Sequence, residues 1–219
     1  MKKARLVLFD GNALVHRAYH ALPPLSVRAT GELVGAVFGF AQILIKALNE
    51  LQPTHYAIAF DKAAPTFRHM MYGEYKATRK ETPSELVQQF GRVRELVEAF
   101  KMPVYELDGY EADDILGTLA KKASEQGVET VIVTGDADVM QLVNDKVRVF
   151  YPRAGRSFSE ADPPSGLAGG TSHGLRDRRA PLACCRSAFP NPSASPLLLF
   201  MLHLPKHFPH HLVYVARAS

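Results

Sequence analysis

The sequence predicts a three-layer α/β fold with a largely parallel sheet. One observation is a series of short apolar runs suited to buried strands: Leu6–Phe9, His55–Phe60, Pro103–Leu107, Val128–Val133 and Val147–Phe150. A second is that longer stretches with helical spacing alternate with them. A third is that several runs end in acidic residues, which collects carboxylates on one edge of a parallel sheet.

The elements follow in order. Leu6–Phe9 reads as a strand rather than a signal peptide, because the apolar run is four residues long and Asp10 ends it. Asp10-Gly11-Asn12 reads as a turn. Leu33–Leu48 is a long apolar helix in which Gly35 and Gly39 permit close packing. His55–Phe60 is the second strand, closed by Asp61. Ser84 and Glu85 open the helix Leu86–Phe100, whose apolar residues recur at helical spacing. Pro103–Leu107 is the third strand. Glu111–Glu125 is a helix with Ile115, Leu116, Leu119 and Ala123 inward. Val128–Val133 is the fourth strand, Val139–Val143 a short helix and Val147–Phe150 the fifth strand.

The formal charge of +4 is unevenly spread. Residues 1–155 hold 19 basic and 19 acidic residues, so the last 64 residues carry the whole excess. Net charge therefore says little about a nucleic-acid partner of the first part, and local clusters say more. The two cysteines, Cys184 and Cys185, are adjacent, which is neither a disulfide framework nor a CxxC site. The run Leu197–Leu204 is far short of a membrane span. The expectation is a monomeric cytoplasmic protein with no membrane contact.

Texture changes near residue 156. The last 64 residues contain eight prolines and five of the nine histidines, without clear periodicity. Two parts are expected: a folded domain over 1–155 and a disordered or out-of-frame tail over 156–219.

Seven carboxylates stand out: Asp10, Asp61, Glu111, Asp113, Asp114, Asp136 and Asp138. A single Asp at a helix start is usually a cap. E-x-D-D followed by D-x-D exceeds what capping needs, and crowded carboxylates raise each other's pKa unless cations neutralise them. Oxygen donors suit hard divalent ions, Mg²⁺ or Mn²⁺. A pair of such ions serves phosphodiester hydrolysis, and the same chemistry serves phosphoryl transfer. Neither GxxxxGK[ST] nor GxGxxG is present, so no nucleotide cofactor is expected.

Residues 62–83 hold Arg68, Lys76, Arg79 and Lys80 among Phe67, Tyr72 and Tyr75. Cations interleaved with aromatics suit a phosphate backbone and unpaired bases. Placed after Asp61, Lys76 or Arg79 would touch the scissile phosphate itself. The histidines His16, His20, His55 and His69 lack ligand spacing, and Met70 and Met71 read as core residues.

Four blocks together resemble a known family. FDGNALVHRAYHALPPL, AFDKAAPTFRHMMYGEYKATRKETPSEL, GYEADDILGTLAKKA and VIVTGDADVMQLV are similar, in order and interval, to the 5′-nuclease domain of bacterial DNA polymerase I, within the flap endonuclease superfamily. The likeness covers about residues 4–153. It implies a PIN-like (Rossmann-like) fold with a basic helical arch, two divalent ions (Mg²⁺ or Mn²⁺), and 5′-3′ exonuclease or 5′ flap endonuclease action on DNA. All seven acids match metal-binding positions. Asp10, Asp61, Glu111 and Asp113 would chiefly hold one ion, and Asp114, Asp136 and Asp138 the other. Lys76 and Arg79 match catalytic arch cations, with Arg68, Tyr72, Tyr75 and Lys80 as nucleic-acid contacts. Ala137 stands where the family usually has Lys. The family's later GDxSDNIPGVPGIG block and helix-hairpin-helix region find no match here. Two rival readings therefore stand beside the active nuclease: a catalytically impaired DNA-binding fragment, and an RNA-directed nuclease of the same architecture.

Overall fold

The computed structural model describes residues 4–64, 66–72 and 82–152, together with the backbone of 156–158. The arch candidates Tyr75, Lys76, Arg79 and Lys80 lie outside the described residues, as does nearly all of the expected tail.

Strand β1 (Arg5–Asp10) lies at the middle of a six-stranded sheet. The other strands are β2 (His55–Ala59), β3 (Val104–Tyr105), β4 (Glu129–Val133), β5 (Val147–Tyr151) and β6 (Arg156–Phe158). The spatial order is β3-β2-β1-β4-β5-β6. The first five run parallel, and β6 returns antiparallel to β5. The chain leaves β1 on one side to build β2 and β3, then returns on the other to build β4 and β5. The order thus reverses between β1 and β4, and the crevice outside the carboxyl ends of the strands there is where open α/β sheets place their sites. β6 lies just past position 155, where the sequence places the end of the folded domain.

The helices are α1 (Gly11–Ala21), α2 (Gly35–Leu51), α3 (Phe67–Met71), α4 (Ser84–Ala99) and α5 (Ala112–Glu125). Strand alternation sends Val7 and Phe9 of β1 to one face. There they join Leu14, Phe40, Leu44, Val93 and Val97 in a core built with α1, α2 and α4. Helix α5 packs on β1, β4 and β2, burying Leu116, Leu119, Ala120 and Ala123. The result is a mixed α/β fold with a largely parallel sheet flanked by helices.

The turn expected at Asp10-Gly11-Asn12 is instead a direct strand-to-helix joint. Asp10 is both the last residue of β1 and the N-cap of α1, where its side chain accepts the Ala13 N–H. Glycine is needed at position 11 because a β-carbon there would run into the Phe60 ring. Gly39 plays the packing role expected of it: a β-carbon would stand 3.0 Å from both Ala18 Cβ and Leu22 Cδ1, so its absence lets α1 and α2 close. The segment expected as an α-helix at Val139–Val143 is a 3₁₀ turn, Asp138–Leu142.

Phe60 itself is buried and extends the β2 pairing through its N–H to the Tyr105 carbonyl (3.0 Å). The Arg94 guanidinium lies over its ring, 5.0 Å from the centroid. At the opposite end of the strands Glu129 pairs with both Arg5 and Arg148, tying β1, β4 and β5 together.

Candidate metal centre

Sheet topology explains which acids meet. Asp10 ends β1, Asp61 follows β2, Glu111 caps α5 after β3, and Asp136 follows β4. These are four successive carboxyl ends around the point where the strand order reverses. Asp113 sits in the first turn of α5, one turn into the same rim.

Asp10 is buried, and both of its oxygens are engaged. Oδ1 accepts the Ala13 N–H (3.1 Å) and Oδ2 accepts the Thr134 hydroxyl (2.7 Å). The register that sets Phe9 opposite Val133 brings Thr134 beside Asp10. Thr134 Oγ1 also accepts the Asp136 N–H (2.9 Å), which fixes the loop after β4. The Asp10 pKa is pushed up to about 6, chiefly by burial; hydrogen bonds from Thr134 and Ala13 oppose the rise, and repulsion from Asp61 and Asp136 adds to it.

Asp61 is tied to two elements. Its Oδ1 accepts the Ala112 N–H at the start of α5 (2.7 Å), and Oδ2 accepts the Asn12 amide (3.1 Å). Asn12 Oδ1 in turn accepts the Asp61 N–H (3.3 Å). Asp113 is exposed as a residue, yet its carboxylate loses part of its hydration at the rim. That loss, then repulsion from Asp10, Asp136, Asp61 and Glu111, drives its pKa up to about 7. Five carboxylates therefore share one electrostatic neighbourhood.

The remaining candidates are placed differently. Asp114 is held by Arg68 in a bidentate fork, 2.7 and 2.6 Å, and its Oδ2 accepts the Glu111 N–H (3.0 Å) as half of a capping box. Arg68 also lies 3.5 Å from Glu111 Oε2. Its guanidinium is thus engaged within the protein, whereas a nucleic-acid contact was expected. Asp138 is exposed at the start of the 3₁₀ turn, and its N–H donates to Asp136 Oδ1 (2.9 Å). Tyr72 is exposed. Met70 and Met71, expected in the core, are 77% and 62% exposed. Helix α3 is a single turn that buries no residue, so it has no inner face for them.

Beside the acids lies a half-open cleft of about 260 Å³ lined by Asp61, Lys62, Thr66, His69 and Glu111. Lys62 spans to Asp108 (2.9 Å), and His69 closes a capping box with Thr66. On the far side of the rim, Arg17 stacks over the Tyr151 ring (4.9 Å), and the Tyr151 hydroxyl donates to the Gly135 carbonyl. That contact steadies the loop carrying Asp136.

The donor set fits a hard divalent cation, because it is all oxygen and two of its members are pushed towards protonation, chiefly by burial and further by neighbouring carboxylates. The present arrangement of side chains is not yet a coordination sphere. Among the described residues no group of three or more His, Cys, Asp or Glu converges on one ion position. Both oxygens of Asp10 and of Asp61, and one of Asp136, accept from protein donors instead. Asn12 and Thr134 are the supporting residues that the sequence does not reveal. In the sequence Asn12 reads as a turn residue and Thr134 as a polar residue after a strand, both common patterns.

Comparison with known proteins bears on this rim. Residues 5–164 match the family model described as 5′-3′ exonuclease, N-terminal resolvase-like domain. The chain belongs to that family. DNA polymerase I of Chloroflexus aurantiacus is 56% identical over 145 residues, covering 66% of this chain and 15% of the polymerase. DNA polymerase I of Bacillus subtilis is 48% identical over 154 residues, 70% of this chain and 17% of that one. The chain thus spans under a fifth of the length of these relatives. Among solved structures, the bacteriophage T5 5′-exonuclease with bound divalent zinc aligns at a TM-score of 0.56 and 22% identity, over 71% of this chain and 58% of that one. A T5 flap endonuclease in a pseudo-enzyme–product complex with DNA and metal ions aligns equally well (TM-score 0.56, 21% identity, 71% and 57% coverage). At that identity the likeness establishes the fold of this 5′-3′ exonuclease family member. Among the described residues no helix is long and apolar enough to cross a membrane.

Proposed function

We propose that this chain is a DNA-binding 5′-nuclease module whose cutting, on its own, is impaired. The reading is supported by a single observation: the acids of the rim gather at the sheet's reversal point, while both oxygens of Asp10 and of Asp61 and one of Asp136 accept from protein donors and no three acids among the described residues converge on one ion position. Family membership supports a DNA substrate with a 5′ end or flap, in replication or repair.

Asp10, Asp61, Glu111, Asp113 and Asp136 would hold Mg²⁺ or Mn²⁺. Such ions supply Lewis acidity at a phosphodiester and lower the pKa of a nearby water. The chain's own part is to fix the acids: Thr134 orients Asp10, Asn12 and the Ala112 N–H orient Asp61, and Thr134 holds the loop of Asp136. Exposed Tyr72 offers a face on which an unpaired base can stack. Lys76 and Arg79, as the arch cations of the family resemblance, would meet the scissile phosphate, with Tyr75 and Lys80 beside them.

The test is a 5′-labelled DNA flap duplex incubated with the full chain and Mg²⁺ or Mn²⁺, with Asp113→Ala as control and a matched RNA flap alongside. Binding without appreciable cutting is the expected result. Brisk metal-dependent cutting that is lost in Asp113→Ala would overturn the impairment and make the chain a competent two-metal nuclease. Preference for the RNA flap would reassign the substrate, and absence of binding to either flap would end the proposal.

A further inference from the structure

We infer that Asp114 is the anchor of α3 rather than a cation ligand, and that Arg68 is its partner rather than a phosphate contact. The inference deepens the proposed function and rests on that reading only for its consequence for DNA.

The geometry divides the E-x-D-D cluster into two jobs. Glu111 and Asp113 belong to the rim, where Asp113 meets the field of Asp10, Asp136 and Asp61. Asp114 sits one residue further round α5 and faces α3. Its two oxygens meet the two terminal nitrogens of Arg68 at 2.7 and 2.6 Å, the parallel fork that a guanidinium makes best with a carboxylate. Both partners are largely shielded, with side-chain exposures of 24% and 10%. The Arg68 guanidinium lies over the Phe67 ring (4.7 Å), which further restricts it. A divalent ion at Asp114 would have to displace this cation or sit against it, and both are unfavourable.

Helix α3 needs such an anchor. It is five residues long and buries none of them. Its other ties to the α5 side include Arg68 to Glu111 Oε2 (3.5 Å), the Phe67 N–H to the Gly109 carbonyl (2.9 Å) and a tilted contact of the Phe67 and Tyr110 rings (5.6 Å). An isolated helical turn is unstable without tertiary support. The fork is the charged, directional part of that support, and it sets α3, and with it exposed Tyr72, against the N-terminus of α5, one residue from Asp113. Arg68 and Asp114 are thus positioning residues for whatever α3 presents to a strand of DNA.

The experiment uses the full chain and two readouts that need no cleavage: hydrogen exchange of the 67–72 and 112–125 amides, and Mn²⁺ affinity by calorimetric titration. Four variants are compared with the unaltered chain: Asp114→Asn, Arg68→Gln, their double variant, and the reversed pair Arg68→Asp with Asp114→Arg. Loss of a charge-assisted fork is expected to speed exchange in α3 by about tenfold or more while α5 stays protected. The two single changes should be non-additive in the double variant, and the reversed pair should restore part of the protection. Mn²⁺ affinity should hold in Asp114→Asn, whereas Asp113→Asn should lose about tenfold or more. An Mn²⁺ loss in Asp114→Asn equal to that in Asp113→Asn, or α3 exchange unchanged in both single variants, would overturn the inference. Variants that exchange fast throughout have unfolded, and the reversed pair then decides: failure to recover α3 protection counts against the anchor. Failure of flap binding in the unaltered chain would remove the proposed function without touching either readout.

Discussion

Asp10→Asn is expected to stabilise the cation-free protein at neutral and alkaline pH. Asp10 is 3% exposed, and its pKa rises from 3.8 to about 6 on folding, burial being the main cause. A pKa raised by folding means that the folded chain holds the proton more tightly than the unfolded one, so stability falls as pH rises across the interval. The group's contribution is whole below the unfolded pKa, shrinks between there and about 6, and is gone above. At about 1.4 kcal/mol per tenfold change in proton affinity, the charged form costs about 3 kcal/mol at about pH 8. Roughly half of that has already been lost at about pH 5, so the unaltered protein should lose a further 1–2 kcal/mol or so between the two. Asp113 adds to the fall in the same direction, over a window that extends to about 7. Asparagine keeps an acceptor for the Ala13 N–H, and the Thr134 hydroxyl can turn from donor to acceptor. The substitution therefore sacrifices about 1 kcal/mol of hydrogen bonding and should leave a net gain of about 1–2 kcal/mol at about pH 8. Urea unfolding of the full chain in a chelator, at about pH 5 and about pH 8, measures both quantities. If the variant is no more stable than the unaltered chain at the higher pH, or its advantage does not grow with pH, the reasoning from buried charge is wrong.

Other expectations follow from the same rim. Mg²⁺ or Mn²⁺ should raise the unfolding free energy by about 2.7 kcal/mol when present at about a hundred times its dissociation constant, and more at high pH than at low; an unfolding midpoint indifferent to either ion would mean the donor set does not take one. Thr134→Val removes the hydroxyl that donates to Asp10 and accepts from Asp136, at a cost of about 1–3 kcal/mol. It should also move the Asp10 pKa further up, which carboxyl NMR titration reads; a fall would contradict the assignment. Gly11→Ala forces a methyl group into the Phe60 ring and should cost about 1–3 kcal/mol by denaturant midpoint, with little loss showing that the joint can shift aside.

Much of the fold is legible in the sequence because parallel strands buried on both faces leave continuous apolar runs. β1, β2, β4 and β5 were each expected within a residue or two of where they lie. The five-residue stretch expected as the third strand pairs at only two, Val104 and Tyr105, since a lone edge position gives it one neighbour. α1 is hidden because Gly11 and Asn12 signal a turn, and only the Phe60 ring, remote in sequence, explains why glycine opens a helix there. β6 has three residues with no alternation to read. At the site, the acids announce themselves by number, and topology gathers five of them. Which oxygen faces which donor is a matter of side-chain direction, and no spacing rule pairs Arg68 with Asp114, forty-six positions apart. Met70 and Met71 mislead for a related reason: their hydrophobicity is real, but a single-turn helix gives it nowhere to go.

The stack at the end of β2 has a mechanical consequence. Arg94 presses on one face of Phe60, and Gly11 leaves no slack against the ring. Guanidinium, ring and bare backbone thus make a continuous run of contacts from α4 to the start of α1. Asp61 rides directly after that ring and Asp10 directly before that backbone. The two carboxylates thus flank one close contact, that of the Phe60 ring with the Gly11 backbone. A smaller aliphatic side chain at position 60 would loosen that contact without touching either acid, so the change would be felt at both carboxylates.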